Sequence, residues 1–236
     1  MRLIFVRHGE PDYQNDCLTE NGVKQAKNTA IRLKDEPIKA IYSSPMGRAR
    51  ETASYTAKDH GLEIQDLDFM HEIDWGSRLL QEDGSPCAME YDGHPWTLAY
   101  RMQADNPELW GNPDWVKHPY FRDNRCMDYY DVISEKFDDF LKTYGLVRRN
   151  GLYLCERTCH DTIALFAHGG SGAVMFSHVF SLPLPFVLTS LTYGVCSVSV
   201  ITFGSREGEM IIPRLELFGD VGHIDTMKPE SLKCEK

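Results

Sequence analysis

The sequence predicts an α/β protein: a three-layer α/β/α sandwich with a mainly parallel central sheet and an inserted segment. Short apolar runs recur at residues 3–6, 40–42 and 163–167, and each is followed by turn residues and then by helical spacing. Runs without polar alternation are typical of parallel strands buried on both faces. Strands that alternate with helices predict a sheet covered on both sides. Between residues 77 and 128 the periodicity fades, which indicates the insertion.

The first strand passes directly into a cation, an imidazole and a glycine. Arg7, His8 and Gly9 follow the run at residues 3–6. They would lie just beyond the carboxyl end of the strand, where open α/β sheets bind ligands. Gly9 lets the backbone turn sharply there and approach a ligand closely.

The first helix is predicted to open at Thr19, whose hydroxyl can cap it, and to end before Pro37. Its apolar residues keep to one helical face. They are Val23, Ala26, Ala30 and Leu33.

A second helix is predicted after the strand at residues 40–42. Ser44 can cap this helix, and Pro45 suits one of its first positions. Arg48 then lies on its first turns. A short edge strand at 62–64 is expected to follow the helix.

The C-terminal half returns to regular spacing after the insertion. The predicted elements are a helix over 129–144, a strand over 163–167, an apolar helix ending near residue 180, and last strands at 195–203 and 210–217. The last two strands are expected to form a hairpin around Gly204 and Ser205. The tail after Asp225 is polar and is predicted to be loose.

We predict one domain over residues 1–236, onto which the insertion at about 77–128 packs. The length suits a single large domain with a substantial core. The formal net charge of −10 argues against a general nucleic-acid surface or an anionic-membrane surface. No apolar stretch approaches the length of a membrane span or a signal peptide.

The seven cysteines are odd in number and irregularly spaced, which argues against a disulfide framework. Cys155, Cys159 and His160 resemble metal ligands faintly, but no second cluster completes them. We therefore predict no metal, no cofactor and a cytoplasmic location.

Three strand ends of the predicted sheet carry cationic or imidazole side chains. Arg7 and His8 follow the first strand, Arg48 follows the second, and His168 follows a later one. The ends of parallel strands share one edge of a sheet, so these side chains are expected to converge. Such donors in an acidic protein indicate an anion, and the arginine fork matches phosphate.

These motifs resemble those of the histidine phosphatase superfamily, the phosphoglycerate-mutase-like family, and favour its phosphatase branch. The resemblance covers most of the chain apart from the insertion and the tail. Its motifs are Arg7-His8-Gly9-Glu10, Leu18-Thr19-Glu20-Asn21-Gly22, Ser43-Ser44-Pro45 with Arg48-Ala49 and Thr52-Ala53, Glu72, and His168-Gly169. Their order, spacing and strand context together make the match specific.

The resemblance implies a role for each residue of the site. His8 would attack phosphorus and form a phosphohistidine, and its other ring nitrogen should donate to a backbone carbonyl. Arg7, Arg48 and His168, with Gly169, would hold the phosphoryl oxygens. Glu72 would protonate the leaving alkoxide and then deprotonate water.

The position of the general acid rests on the segment 70–76, which resembles the acid-bearing segment of the family. Glu72 is favoured over its acidic neighbours, Glu63, Asp68 and Asp74. A perturbed acid is expected in such a site, but composition does not locate it.

Three functions stay open at this point. The favoured one is a phosphomonoester hydrolase acting on a small phosphorylated metabolite. The second is a phosphoglycerate-mutase-type phosphotransferase, which Pro11 and Gln14 weaken because mutases usually have a hydroxyl residue and an asparagine there. The last is a phospho-ligand-binding module without turnover. A small phosphate ester is the expected partner, without nucleic acid or membrane, and a homo-oligomer is compatible with the sequence.

The insertion has two interpretations. In the first, its aromatic residues form a lid over the site and a cation reaches a second anionic group of the substrate. In the second, the aromatic residues pack the insertion onto the core. The second interpretation is favoured because aromatic side chains carry large burial energies wherever they lie. The residues concerned are Trp96, Tyr100, Trp110, Trp115, Tyr120 and Phe121, with Arg101, His118, Arg122 and Arg125 as the cations.

Overall fold

The structure, a computed structural model, describes residues 1–224, so the predicted tail and Cys234 lie outside the described residues. Its strands are β1 (Arg2–Arg7), β2 (Pro11–Asp12), β3 (Cys17–Leu18), β4 (Ile38–Ser43), β5 (Ile64–Asp66), β6 (Leu146–Arg149), β7 (Leu152–Cys155), β8 (Thr162–Ala167), β9 (Val198–Thr202), β10 (Met210–Ile211) and β11 (Arg214–Asp220). Its α-helices are α1 (Glu20–Leu33), α2 (Gly47–His60), α3 (Pro95–Asp105), α4 (Pro119–Arg122), α5 (Cys126–Thr143), α6 (Gly169–Phe180) and α7 (Leu184–Ser190). None of the helices in this part of the chain has the length and apolarity that a bilayer span requires.

The central sheet has six strands in the order β11-β9-β1-β8-β4-β5. β1, β8, β4 and β5 are parallel neighbours, whereas β9 runs antiparallel to both β1 and β11. Leu3 lies opposite Ile163 of β8 and Ile201 of β9. The carboxyl ends of β1, β8 and β4 therefore meet at one edge.

Alternate residues of β1 belong to two separate cores. Leu3 and Phe5 pack in the core that includes α5 and α6, whereas Ile4 and Val6 pack in the core that includes α1 and α2. Successive side chains of a strand point to opposite faces, so an uninterrupted apolar run needs helices on both sides. Each fully buried side chain of this size stabilises the fold by roughly 1.5–3 kcal/mol. This arrangement confirms the predicted α/β/α sandwich.

The two helices on the second face begin differently. α1 begins as predicted, because the Thr19 hydroxyl accepts a hydrogen bond from the Gly22 amide at 3.0 Å. The predicted start of α2 at Ser44 and Pro45 is wrong, since the helix begins at Gly47. The Gly47 amide donates instead to the Asp16 carboxylate at 2.6 Å, so a distant loop supplies the cap.

The segment 77–128 contains α3, α4 and short 3-10 turns. Trp115 and Phe121 are buried in the main core and meet edge to face, with ring centroids 5.2 Å apart. Gln103 of α3 donates to the Thr189 hydroxyl of α7 at 3.0 Å. Trp110 is exposed on one side and packs on Phe186.

The predicted strand at 210–217 is wrong as a single element. Residues Met210–Ile211 form β10, which pairs with β7 in a three-stranded sheet, whereas β11 pairs with β9 in the central sheet. Pro213 lies between them and has no N–H to donate to a ladder, so it separates the two pairings. The hairpin of β6 and β7 and the helix α7 were not predicted.

Candidate active site

The ends of β1 and β8 bring the two predicted histidines together. The His8 amide donates to the Ala167 carbonyl at 2.9 Å, which continues the parallel pairing one residue beyond β1. The His8 and His168 rings then lie 5.1 Å apart between centroids, and both side chains are buried. Two residues separated by 160 positions thus line one site because their strands are neighbours.

The His8 ring is held in one tautomer. Its Nδ1 lies 2.7 Å from the Gly9 carbonyl oxygen. A carbonyl accepts only, so Nδ1 carries the hydrogen and the predicted bond to the backbone is present. Burial lowers the pKa of His8 to about 4, and the positive charges of Arg7 and Arg48 act in the same direction. His8 is therefore neutral near pH 7, with a free electron pair on Nε2.

His168 is oriented by a serine. Its Nε2 lies 2.7 Å from the Ser44 hydroxyl oxygen, which also accepts a hydrogen bond from the Met46 amide at 3.2 Å. Burial, together with the charges of His8 and Arg48, lowers the pKa of His168 to about 2. If Ser44 donates to Nε2, the hydrogen of the neutral ring lies on Nδ1. That atom is buried and has no hydrogen-bond partner among the described residues, so it can donate to an anion.

Arg7 is held by the loop between α7 and β9. Its Nη1 donates to the Tyr193 carbonyl at 2.9 Å, and its Nε is buried without a partner in the described part of the chain. A Cβ on Gly169 would lie only 3.3 Å from the Arg7 guanidinium carbon. The Tyr193 hydroxyl donates to the Gly169 carbonyl at 2.5 Å, so Tyr193 contacts both Gly169 and Arg7 and fixes their positions.

Arg48 reaches the site from the first turn of α2 and is buried. Its Nη1 lies 2.5 Å from the Asp16 carboxylate, and its Nε is buried without a partner in residues 1–224. Thr52 accepts a hydrogen bond from the Gly9 amide at 3.0 Å and donates to the Arg48 carbonyl at 2.7 Å. The first turn of α2 is thereby fixed to the loop that carries His8.

The Glu72 carboxylate lies against the N-terminus of α6, the helix that begins directly after His168. One carboxylate oxygen, Oε1, accepts hydrogen bonds from the amides of Ile73, Gly170 and Ser171 at 2.9–3.1 Å. Burial raises the pKa of Glu72, although these three amides and Arg7 oppose the shift. A raised pKa favours a carboxyl group that still carries a proton to donate.

The other acids considered for this role are less suitable. Glu63 and Asp68 are exposed, and Asp74 forms an ion pair with Arg125 at 2.7 Å. In residues 1–224 no group of three or more histidine, cysteine, aspartate or glutamate side chains is arranged to hold a metal ion.

The structure brings all the predicted site residues to one edge of the sheet: Arg7, His8, Arg48, Glu72, His168 and Gly169. Sequence reasoning gave no role to Asp16 and Tyr193, which hold Arg48 and Arg7, and it treated Ser44, which holds His168, only as a helix cap. Ser44 stood in a quoted motif and could have been noticed there, whereas Asp16 and Tyr193 carried no local signal. Unpaired buried donors around a neutral imidazole suit an oxyanion next to a nucleophile.

Comparison with known proteins gives matches over much of the chain. Residues 3–212 match the family model of the histidine phosphatase superfamily, branch 1. A 2,3-bisphosphoglycerate-dependent phosphoglycerate mutase from Thermoplasma acidophilum is 33% identical over 101 residues, which are 39% of this chain and 50% of that protein. Phosphoserine phosphatase 1 from Hydrogenobacter thermophilus is 36% identical over 94 residues, or 35% and 44% of the two chains. The chain thus spans about half the length of these curated relatives.

Solved structures share the fold. A mycobacterial glucosyl-3-phosphoglycerate phosphatase superposes with a TM-score of 0.60 at 22% identity, covering 92% of this chain and 98% of that one. A phosphoserine phosphatase from Entamoeba histolytica gives a TM-score of 0.60 at 21% identity, covering 94% and 98%. Because the family model matches most of its length, this chain belongs to the histidine phosphatase superfamily, branch 1.

Proposed function

We propose that this protein is a phosphomonoester hydrolase that acts on a small phosphorylated metabolite through a phosphohistidine on His8. The observation that carries the proposal is the buried, neutral His8 ring, whose Nδ1 donates to Gly9 and whose Nε2 is left as a nucleophile. Arg7, Arg48 and His168 support it as donors for the phosphoryl oxygens.

In the first step the Nε2 electron pair of His8 forms a bond to phosphorus while the bond from phosphorus to the ester oxygen breaks. Glu72 gives its proton to the departing oxygen, which leaves as an alcohol. An alkoxide is a poor leaving group, so this proton is needed for alkyl esters. The arginines stabilise the charge that spreads over the phosphoryl oxygens.

In the second step a water molecule attacks the phosphohistidine. Glu72, now a carboxylate, takes a proton from the water as the oxygen–phosphorus bond forms and the nitrogen–phosphorus bond breaks. Inorganic phosphate leaves, and both His8 and Glu72 return to their starting states. One carboxyl group thus serves as acid and then as base.

A phosphotransferase of the mutase type is the second candidate. Relatives of both kinds support this pair of candidates, since they include a phosphoglycerate mutase and phosphoserine phosphatase 1. Pro11 and Gln14 favour the hydrolase, because the usual mutase residues are absent at these two positions. The two reactions differ only in whether water or a second hydroxyl takes the phosphoryl group.

The insertion at 77–128 is proposed to pack on the core within the single domain over residues 1–236, which the burial of Trp115 and Phe121 in the main core supports. The alternative remains a lid over the site. The arginines of the insertion form exposed ion pairs: Arg78 with Asp128, Arg101 with Asp105, Arg122 with Asp123 and Arg125 with Asp74. A cytoplasmic location is proposed because the six cysteines in residues 1–224 are free thiols.

The nucleophile is tested by His8→Ala, with His160→Ala as a matched control. His160 is exposed and lies before β8, at the end of the sheet away from the site. We expect wild type and the control to hydrolyse p-nitrophenyl phosphate and to take up acid-labile label from a phosphodonor. His8→Ala should do neither, and labelling retained in this variant would exclude His8 as the nucleophile.

The substrate and the reaction type are tested by one screen. Phosphorylated metabolites are incubated with the protein, and both released phosphate and phosphate moved to a second hydroxyl are measured. Release without migration is the expected result. Migration as the dominant outcome would favour the mutase.

A further inference from the structure

We propose that Asp16 is a positioning residue that holds the Arg48 guanidinium for the phosphoryl group, an inference that rests on the proposed function. Nothing in the motifs of the chain assigns a role to Asp16. It lies in the loop between β2 and β3, 32 residues before Arg48.

Asp16 uses both carboxylate oxygens on α2. Oδ1 contacts Nη1 of Arg48 at 2.5 Å, and Oδ2 accepts a hydrogen bond from the Gly47 amide at 2.6 Å. The same carboxylate therefore fixes the backbone that carries Arg48 and the guanidinium group itself. Its partner is buried, with a side-chain exposure of 6%.

The approach of Asp16 to α2 depends on two unusual local features. Asp16 adopts a left-handed backbone conformation with φ of 49°, which residues other than glycine rarely adopt. A Cβ on Gly47 would lie only 2.1 Å from the Asp16 carbonyl oxygen, so no larger residue fits there. Such a conformation persists where the surrounding contacts fix it, as they do here.

This contact determines which edge of Arg48 faces the site. With Nη1 engaged by Asp16, the Nε–Nη2 edge is left for an anion, and Nε is buried without a partner among the described residues. Nη2 contacts the Met46 sulfur at 3.5 Å, a weak acceptor. Two parallel N–H groups on this edge match two oxygens of a phosphoryl group.

The test is a double-mutant cycle of Asp16→Ala and Arg48→Ala, read as kcat and KM for p-nitrophenyl phosphate. Arg48→Ala should lower kcat by about 10²–10³-fold, the usual loss for a charge-stabilising donor. Asp16→Ala should lower kcat by about tenfold or more in the wild-type background, and by less than about threefold where Arg48 is already removed. Asp16→Asn keeps an acceptor for Gly47 but loses the charge, so it should fall between wild type and Asp16→Ala.

Asp12→Ala is the matched control. Asp12 lies in the same hairpin and accepts hydrogen bonds from the amides of Gln14 and Asn15, without contacting Arg48. We expect near-normal kcat in this variant. Equal losses from Asp16→Ala in both Arg48 backgrounds would overturn the proposal, because Asp16 would then act only through the loop or the start of α2.

Orthovanadate binding is also measured by calorimetry on the wild type, the two single variants and the double variant. This measurement tests the role of Asp16 independently of whether the protein hydrolyses phosphate esters. The affinity should show the same non-additive pattern as kcat. A wild-type protein that binds vanadate but releases no phosphate from any ester would contradict the hydrolase, while the vanadate cycle still decides the role of Asp16. Absence of vanadate binding in the wild type would overturn both.

Discussion

At the residue scale, the site keeps two buried imidazoles neutral for different purposes. The Gly9 carbonyl holds the hydrogen of His8 on Nδ1, and the Ser44 hydroxyl holds Nε2 of His168. Burial lowers the pKa of each ring, so neither takes a proton near pH 7. In the proposed mechanism His8 offers the electron pair of Nε2, and His168 offers the N–H of Nδ1 as a donor. The two rings differ because Gly9 contacts Nδ1 of His8, whereas Ser44 contacts Nε2 of His168.

The acid role proposed for Glu72 predicts a defect that depends on the substrate. Glu72→Gln should lower kcat by about 10²–10⁴-fold for an alkyl phosphate that the substrate screen shows the wild type to hydrolyse. The loss for p-nitrophenyl phosphate should be much smaller, because a nitrophenolate leaves without a proton. Burial raises the pKa of Glu72, so wild type should lose alkyl-ester activity at high pH as this proton dissociates.

Glu63→Gln is the control for this prediction, since Glu63 is exposed and outside the site. It should resemble wild type on both substrates at every pH. Equal losses on the alkyl and aryl esters in Glu72→Gln would move the acid to another residue.

At the element scale, the N-terminus of α6 is shaped to receive Glu72. The amides of Gly170 and Ser171 donate to Oε1 of Glu72, and a helix N-terminus favours negative charge. A Cβ on Gly170 would lie 2.6 Å from that oxygen and 2.4 Å from Ile73, so glycine is required for the approach. The second glycine of the His168-Gly169-Gly170 motif therefore allows the Glu72 carboxylate to approach the start of α6.

Gly170→Ala should displace the acid without removing it. We expect a loss of stability of about 1–3 kcal/mol from the steric conflict. The activity on the alkyl phosphate should fall more than the activity on p-nitrophenyl phosphate, as in Glu72→Gln. Both rates and the urea midpoint are measured.

Gly172→Ala is the control, because it creates a steric conflict of similar size in the same helix. Its Cβ would meet Phe5 at 2.4 Å and the Tyr193 hydroxyl at 2.6 Å, whereas a Cβ on Gly170 would meet Ile73 and Glu72. This variant should lose stability but keep the wild-type ratio of the two activities. A ratio that changes equally in both variants would show that general distortion of α6, and not the displacement of Glu72, causes the effect.

At the scale of the whole molecule, the neutral histidines make stability depend on pH. The folded pKa values of His8 and His168 lie below the unfolded value of about 6.5. Below pH 6.5 the unfolded chain takes up protons that the folded chain does not, so stability present at neutral pH is lost as the pH falls. Between pH 7.5 and 4.5 each histidine should remove roughly 2 kcal/mol of unfolding free energy.

This prediction is checked by urea unfolding of wild type, His8→Asn and His168→Asn at the two pH values. Each variant lacks one titrating group, so its stability should fall less than that of wild type. The raised pKa of Glu72 acts with the opposite sign, but it is common to all three proteins. Parallel losses in the three proteins would contradict neutral, buried histidines as the cause.

Elements whose sequence pattern lies in consecutive residues could be predicted, whereas those fixed by distant residues could not. The apolar runs of β1, β4 and β8 predicted their strands because burial on both faces leaves a mark in consecutive residues. The β6–β7 hairpin also had such a mark in Asn150-Gly151, whose positive φ angles suit a two-residue turn, and it was overlooked. The local mark at Ser44 and Pro45 misplaced the start of α2, since the Gly47 amide is capped by Asp16 from a distant loop.

The sequence by itself determined the α/β architecture and the strand-end motifs, Arg7-His8-Gly9 and His168-Gly169-Gly170, because neighbouring residues specify both. Only the tertiary structure decided which distant residues orient these groups. Asp16 meets Arg48 across 32 residues, Glu72 meets Gly170 across 98, and Tyr193 meets Arg7 across 186. Such contacts depend on the order of strands in the sheet and on the paths of the loops. The packing of the whole chain sets both, so no short stretch of sequence records them.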